Sequence, residues 1–355
     1  TACPDIQAML DTVWTTGEMI GADERMPFAQ FLMTPVNRQG VTTLITPGQG
    51  KVRNVQVVYM QRLTEDTVNT DQPNPNCGAG EDQGDLSTNY TLDTSVNIQS
   101  PGFRLTRDML ENVCQDNGAL FNRLFMRDQD VLRRAVATEV SSQGMALTGG
   151  WSDYVPTGTT DGTIDAGKYV FQTITGGVYN KMAWMKLYNA LTDSGLGTNP
   201  FLVGGTMMRE YFQLSQNGCC ANDGLSIDGL FAQFGYAYAH DVRVQAALGG
   251  GVLATGADDF AIVKPGALQL LNYTASPWKD GFPPQIDQSA NYWHGVVNDP
   301  MMGWNYDVTM EDDCGTVTVN QTWTGKVIGL PNDMFATGDP YEGITGVVLG
   351  KVITS

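Results

Sequence analysis

The chain has 355 residues, 42% of them hydrophobic, and its 38 acidic residues outnumber its 20 basic ones to give a formal charge of −18. A chain of this length can bury a large core, as one large domain or two modest ones, and no apolar run approaches the roughly 18 residues that suggest a membrane span. The charge argues against nucleic-acid binding by phosphate neutralisation, which depends on clustered Lys and Arg.

The N-terminal region predicts little regular structure. Its first residues, TACPDIQAML, lack a basic segment followed by an apolar one, so no secretory signal is expected. A short helix is predicted from Asp5 to Met19, and the following MPFAQFLMTPVNRQG is expected to be irregular. Two interpretations fit this region: an arm that lies over neighbouring subunits, or a helix packed on its own core.

A long β-hairpin is predicted next. KVRNVQVVYMQR, from Lys51 to Arg62, alternates as a strand does, and its partner is placed at Tyr90 to Gln99. The stretch between them, TEDTVNTDQPNPNCGAGEDQGDLSTN, is acidic and rich in turn residues. Loops of this length are commonly functional or disordered, and such a tip gains order only where it packs on another surface.

One long helix dominates the middle of the chain. In LFNRLFMRDQDVLRRAVATEVSSQGMAL, from Leu120 to Leu147, apolar residues recur at steps of three and four, and Thr148-Gly149-Gly150 ends the pattern. Its roughly 28 residues would extend about 42 Å. The apolar face is predicted to hold Leu120, Phe121, Leu124, Phe125, Val131, Leu132, Ala135, Val136 and Val140.

The hairpin tip and the helix carry opposite charge. No Lys or Arg lies between Leu63 and Phe103, whereas six of the twelve Arg residues lie from Arg104 to Arg134. A loop with several like charges repels itself in isolation, and an arginine-bearing helix would neutralise it. The alternative is that both are solvated faces. The candidate interface residues are Arg123, Arg127, Arg133 and Arg134 on the helix, and Glu65, Asp66, Asp71, Glu81, Asp82 and Asp85 on the loop.

The second half predicts a mixed lobe. WSDYVPTGTTDGTIDAGKY is rich in turn residues and marks passage into this lobe. Helices are predicted at Tyr179 to Leu191 and Thr206 to Leu214, the second after a strand in NPFLVGG. FAIVKPGALQLL, from Phe260 to Leu271, and the ending GITGVVLGKVITS are predicted strands that return to the first lobe.

Signs of catalysis are scarce. The chain has no GxxxxGK[ST], HExxH, GxSxG or Rossmann glycine pattern. Its two histidines, His240 and His294, are expected to make structural hydrogen bonds, and acidic pairs such as Asp258-Asp259 lack the spacing of a calcium loop. We therefore predict no enzyme activity, no catalytic residue, no metal and no cofactor.

The six cysteines form no CxxC pair and no zinc spacing. Reduced thiols in a reducing compartment are the expected state. The alternative is that Cys3, Cys77 or Cys314 forms a bridge after the protein leaves that compartment.

The order of a β-rich excursion, the short LTRDMLENV helix, the long helix and the ALTGG stop resembles the major capsid proteins of tailed bacteriophages, whose fold encapsulin shells share. The resemblance covers most of the chain in order and spacing and involves no diagnostic motif. It implies an α+β fold with an N-terminal arm (1–40), a hairpin called the E-loop (41–100), a peripheral domain with a spine helix (101–150), an axial domain (151–255) and strands that return to the peripheral domain (256–355).

The same resemblance implies the function. Copies of the chain would form hexamers and pentamers in an icosahedral head that encloses double-stranded DNA without sequence-specific binding. The shell would assemble in the host cytoplasm and become part of the virion, with portal, scaffold and cement proteins as further partners and no membrane. The E-loop lacks the Lys that some members cross-link to a neighbouring Asn, since no Lys lies from Val52 to Gln99, and no scaffolding segment is expected.

Three other readings remain open at this stage. One is an ordinary α+β enzyme with a long core helix. Another is an encapsulin-like compartment, and the third is an acidic secreted hydrolase or surface-binding β-rich protein.

Overall fold

A computed structural model gives the fold. It describes residues 26–34, 42–46, 53–59, 86–92, 97–109, 111, 119–147, 163–165, 168–175, 178–179, 185, 187–189, 192, 199–204, 232, 235–248, 257–274, 292–299, 301–313, 315–329 and 346–354. In these ranges the chain is a mixture of helices and sheets, as predicted.

The described helices with defined bounds are α1 (Pro27–Met33), α2 (Ala119–Ala146) and α3 (Val242–Ala247). The strands are β1 (Thr42–Thr46), β2 (Arg53–Tyr59), β3 (Leu86–Leu92), β4 (Asn97–Gln99), β5 (Phe103–Leu105), β6 (Thr163–Asp165), β7 (Lys168–Thr175), β8 (Val178–Tyr179), β9 (Phe201–Gly204), β10 (Ala237–His240), β11 (Ala257–Val263), β12 (Leu268–Tyr273), β13 (Tyr292–Asn298), β14 (Asn305–Asp313), β15 (Thr316–Gly329) and β16 (Val347–Thr354).

The chain divides into two compact units. The first comprises Thr1–Met33, Asp93–Val140 and Leu270–Lys326, and the second comprises the remaining segments. Both units are therefore discontinuous in sequence, and α2 passes from the first to the second after Val140.

The core of the first unit lies between α2 and a sheet. This sheet has six strands, in the order β12-β15-β14-β13, with β4 and β5 also paired to β15. Alternate residues of β15 face inward, and Val319, Gln321 and Trp323 are buried. Phe103 meets Phe121 edge to face at a centroid distance of 5.7 Å, and Phe125 stacks on Phe121 at 5.9 Å. These contacts bury one face of α2.

The second unit contains two sheets. One has seven strands, in the order β10-β9-β11-β16-β7-β6 with β8 paired to β7; the other has three, in the order β1-β2-β3. Gly350 of β16 lies opposite Phe260 of β11, and a Cβ atom at Gly350 would fall 2.0 Å from the Phe260 ring. Only glycine lets the ring cover the strand at this point.

The long predicted helix is present and unbroken. Leu120 to Leu147 was predicted, and α2 runs from Ala119 to Ala146. The predicted face is wrong at two positions, because Val131 is 38% exposed and Ala135 is also exposed. Charged and polar residues occupy part of the inward face of α2 instead.

The predicted hairpin is partly wrong. β2 lies inside the predicted first strand, but its partner is Leu86–Leu92, with Tyr59 opposite Leu86 and Arg53 opposite Leu92. Asn97–Gln99 leaves this sheet and pairs with β15 of the first unit. The interval from 93 to 96 has an even number of residues, so it preserves the two-residue alternation and hides the break between the strands.

The segment after Met26 is also more regular than predicted. FAQFLM lies in α1, where Phe28, Ala29 and Leu32 are buried. Pro27 stands at the first helical position, where its fixed φ and missing N–H are well tolerated. The Cβ position of Gly303 lies 3.7 Å from the Met33 side chain. Residues 26–33 therefore pack on their own unit, whereas residues 1–25, on which the arm interpretation also depends, lie outside the described residues.

The remaining predicted elements have mixed outcomes. Strands lie at β9, β11, β12 and β16 as expected. The helix predicted from Tyr179 to Leu191 begins too early, because Tyr179 belongs to β8, whereas Met185 and residues 187–189 are helical. Of the predicted return strands, β12 lies in the six-stranded sheet with β15, whereas β11 and β16 join the seven-stranded sheet. The predicted helices at 5–19 and 206–214, and all six cysteines, lie outside the described residues.

Candidate assembly surface

Three of the four candidate arginines share the exposed face of α2. At about 100° per residue, Arg127 and Arg134 lie within about 40° of Arg123 around the helix axis. All three side chains are exposed. We call Arg123, Arg127 and Arg134 the arginine face.

Contacts within the helix hold the arginine face in place. Arg123 donates from Nε to the Ala119 carbonyl oxygen at 3.3 Å, and Arg134 pairs with Asp130 at 3.1 Å one turn back. Exposed ion pairs of this kind contribute only about 0.3–0.5 kcal/mol. Val131 lies beside the arginines with 38% of its surface exposed. The surface thus offers positive charge around an apolar side chain.

Arg133 does not belong to this surface. Its side chain is 6% exposed, and its Nε donates to Asp299 Oδ2 at 2.8 Å. It lies about 100° around the helix from Arg134, which turns it inward. Because its side chain is buried, whereas that of Arg134 is exposed, we leave Arg133 out of the assembly surface proposed below.

Asp299 is the centre of a buried polar network. Its Oδ1 accepts from the Met301 and Met302 amides at 2.9 and 3.3 Å, and its Oδ2 also accepts from the Tyr306 hydroxyl at 3.3 Å. Trp304 donates from Nε1 to that hydroxyl. Burial and the Asp299 charge raise the pKa of Tyr306 well above its ordinary value. The phenol therefore stays neutral and can donate to the carboxylate.

A second buried carboxyl, Asp128, joins α2 to the sheet of the same unit. Its Oδ1 accepts from the Gly102 amide at 3.0 Å. Gln321 donates from Nε2 to the Phe125 carbonyl at 3.1 Å and to Asp128 Oδ2 at 3.4 Å. Burial raises the pKa of Asp128, and hydrogen bonds from Ser100 and Gly102 offset part of that rise.

The acidic half of the candidate set is not among the residues that the structure describes. Glu65, Asp66, Asp71, Glu81, Asp82 and Asp85 all lie outside the described residues. The structure therefore brings three of the predicted arginines together and leaves the predicted contact with the loop as an expectation.

Sequence reasoning missed Asp128, Asp299 and Gln321. In the helical pattern, Asp128 and Arg133 look like ordinary residues of the polar side. Nothing in the sequence indicates that their side chains point inward. Asp299 follows a strand end, where an acidic residue is usually solvated. A polar residue at an alternating apolar position was the one available signal, and it exists only for Gln321 between Val319 and Trp323.

The described ranges contain no group of three or more His, Cys, Asp or Glu residues arranged to hold a metal ion. No helix within them is both long and apolar enough to span a membrane.

Comparisons with known proteins gave structural matches only. No protein-family model and no curated protein matches the chain. Among solved structures, a virus-like particle from Pyrococcus furiosus matches with 8% identity and a TM-score of 0.36, covering 86% of this chain and 87% of that one.

Two phage structures match in a similar way. The capsid of Helicobacter pylori bacteriophage KHP30 has 8% identity and a TM-score of 0.36, with 95% of this chain and 94% of that chain covered. The head of Helicobacter pylori bacteriophage KHP40 has 8% identity and a TM-score of 0.34, with 91% and 87% covered. The three matching structures are thus a virus-like particle, a phage capsid and a phage head.

Proposed function

We propose that this chain is a non-enzymatic shell protein. Many copies, as hexamers and pentamers, form the icosahedral head that encloses the double-stranded DNA of a tailed bacteriophage. The observation that carries the proposal is α2, an unbroken 28-residue helix with an exposed arginine face. The same chain has a segment, between Leu63 and Phe103, that contains acidic residues and no Lys or Arg. Such a pair of surfaces suits contact between copies.

We assign the parts of the shell subunit as follows. α2 is the spine helix of a peripheral domain, together with β4, β5 and β12 to β15. The seven-stranded sheet belongs to the axial domain, now including β11 and β16. β2 and β3 form the base of the E-loop, whose tip is the stretch from 60 to 85.

The arginine face is the proposed receptor for the E-loop of a neighbouring copy. Six acidic side chains from Glu65 to Asp85 repel one another in isolation. Beside Arg123, Arg127 and Arg134 they would be neutralised by charge-assisted hydrogen bonds. Val131, exposed among the arginines, adds apolar area to the contact.

The net charge of −18 fits a container that holds DNA by enclosure. Phosphate contacts would require a basic inner surface, and the acidic balance of the chain opposes one. Portal, scaffold and cement proteins are further proposed partners in the virion.

Particle size is the first test. Light scattering and negative-stain microscopy of the purified protein should give hollow particles tens of nanometres across. A stable monomer of about 38.5 kDa that hydrolyses a glycan would instead establish the secreted hydrolase. Particles that package enzymes and no DNA would establish the encapsulin-like compartment.

A charge swap tests the docking contact. Arg127→Glu with Arg134→Glu should abolish particles while leaving the far-ultraviolet circular dichroism unchanged. Adding Glu81→Arg and Asp82→Arg to the same chain should restore particles, because the swapped charges attract again. Arg107→Glu, an exposed reversal in the same unit outside α2, is the control and should assemble. Normal particles from the Arg127/Arg134 variant would refute the docking contact.

A further inference from the structure

The edge strand β13 is unusual for an exposed sheet edge. It pairs with β14 over all seven residues, from Tyr292 opposite Glu311 to Asn298 opposite Asn305, with no shift in register. It ends the path of the six-stranded sheet, and within the described part of the chain no strand pairs with its other side. Among the described residues, the second row of backbone groups of β13 thus has no strand partner.

Soluble proteins usually protect such edges with lysine, proline, inward-pointing charge or a bulge. β13 reads YWHGVVN and has none of the four. Its one histidine, His294, lies with Nε2 3.1 Å from Asp307 Oδ1. Val296 is 44% exposed. The edge strand is therefore regular in register, and its exposed Val296 is apolar.

The surrounding charge also favours a second copy at this place. Two chains that each carry −18 repel each other in general. From Gln288 to Asn298 the chain has no Asp, Glu, Lys or Arg. β13 is thus a segment where two identical chains can approach without like charges facing each other.

We infer that β13 pairs antiparallel with β13 of a second copy about a two-fold axis at Gly295. In that register His294 lies opposite Val296 of the second copy, and Tyr292 opposite its Asn298. Each contact then occurs twice, as an isologous interface requires. Two glycines meet at the axis, so no side chains collide there, and the sheets of the two copies become continuous.

This inference rests on the proposed function only in that the partner is another copy of the chain. The contact is made by β13, and neither the arginine face nor the E-loop takes part in it. The tests therefore measure unassembled protein, kept soluble at low concentration, as well as particles.

The first test places a charge on the edge. Val296→Lys should raise the dimer dissociation constant at least about tenfold, measured by sedimentation velocity, because the new cation must be desolvated next to His294 of the second copy. Val242→Lys is the matched control, since Val242 is 51% exposed in α3, and it should leave the constant unchanged. An unaltered dimer in Val296→Lys would overturn the inference.

The second test fixes the register. Single variants His294→Cys and Val296→Cys are mixed in equal amounts, oxidised, and compared with wild type on a non-reducing gel. Directly opposed residues have Cα atoms about 4.5–5.5 Å apart, within disulfide range, whereas the diagonal 294–294 and 296–296 pairs are about 7–8 Å apart. The mixture should therefore give a cross-linked dimer that neither variant gives alone.

The two proposals fail in different ways. Particles that form normally from Val296→Lys, with no cross-link in the mixture, would leave the shell function standing and remove the β13 contact. A cross-linked dimer that never forms particles would keep the β13 contact and remove the shell function.

Discussion

Arg133 and Asp299 show how much depends on single buried charges. Their side chains are 6% and 0% exposed, and they lie 166 positions apart in sequence. Removing one partner of a buried pair leaves the other charge without compensation, which costs about 3–5 kcal/mol, whereas replacing both partners is far less harmful.

We therefore expect Arg133→Met to lower the free energy of unfolding by about 3–5 kcal/mol, measured by urea denaturation. Adding Asp299→Asn should recover part of the loss, because no buried charge then remains. Arg134→Met, on the exposed face, is the control and should change stability by less than about 0.5 kcal/mol. Equal losses of unfolding free energy in Arg133→Met and Arg134→Met would contradict the importance of the buried pair.

Asp128 gives a prediction about pH. Burial raises its pKa above the ordinary 3.8, so the folded state binds the proton more tightly than the unfolded state. The associated stability is fully present below the unfolded pKa and is lost as pH rises through the folded pKa. Relative to wild type, Asp128→Asn should thus gain stability as pH rises from below the ordinary pKa of 3.8 towards neutral pH. A difference in unfolding free energy that stays constant with pH would contradict this.

At the scale of elements, α2 is the part that the sequence predicts best. Its 28 residues give enough repeats for the helical period to be read, and the prediction is displaced by one residue at each end. α1 was missed because seven residues span only two turns. The pairing of β4 with β15 joins residues more than 200 positions apart, and no local pattern encodes such a partner.

The continuity of α2 can be tested at Ala135, which is exposed. Ala135→Gly should cost about 1 kcal/mol of unfolding free energy, and Ala135→Pro about 3 kcal/mol or more, because proline removes a hydrogen bond and clashes with the preceding turn. Ala135→Ser is the control and should cost about 0.5 kcal/mol. Thermal unfolding followed by circular dichroism measures the series. A proline variant as stable as the glycine variant would show that the helix is not continuous there.

At the scale of the whole molecule, net charge opposes the association of copies that we propose. Each chain carries −18, and repulsion between exposed charges is screened beyond about 10 Å at 0.1 M salt. From the sequence, the candidate site could be predicted only as two groups of opposite charge, the arginines and the acidic residues. The inward orientation of Arg133 depends on its ion pair with Asp299, and counting charges does not identify a partner so distant in the sequence.

We expect the initial rate of particle formation to rise as salt is added from about 0.01 M to about 0.1 M, because screening weakens the repulsion between copies. Light scattering with time measures this rate. The Arg127→Glu, Arg134→Glu chain, with a charge of −22, should remain unassembled throughout. A wild-type rate that falls steadily over this range would mean that attraction between the arginine face and the acids outweighs the net repulsion.

The turn between β14 and β15 has a practical consequence. Gly315 there has a φ of +85°, and among the described residues no atom lies within 4 Å of where its Cβ would be. Glu311, Asp312 and Asp313 beside it are exposed. Exposed hairpin tips of this kind tolerate inserted residues. A short epitope spliced in after Gly315 would be displayed in as many copies as the assembled particle has subunits, and an antibody against it would count them.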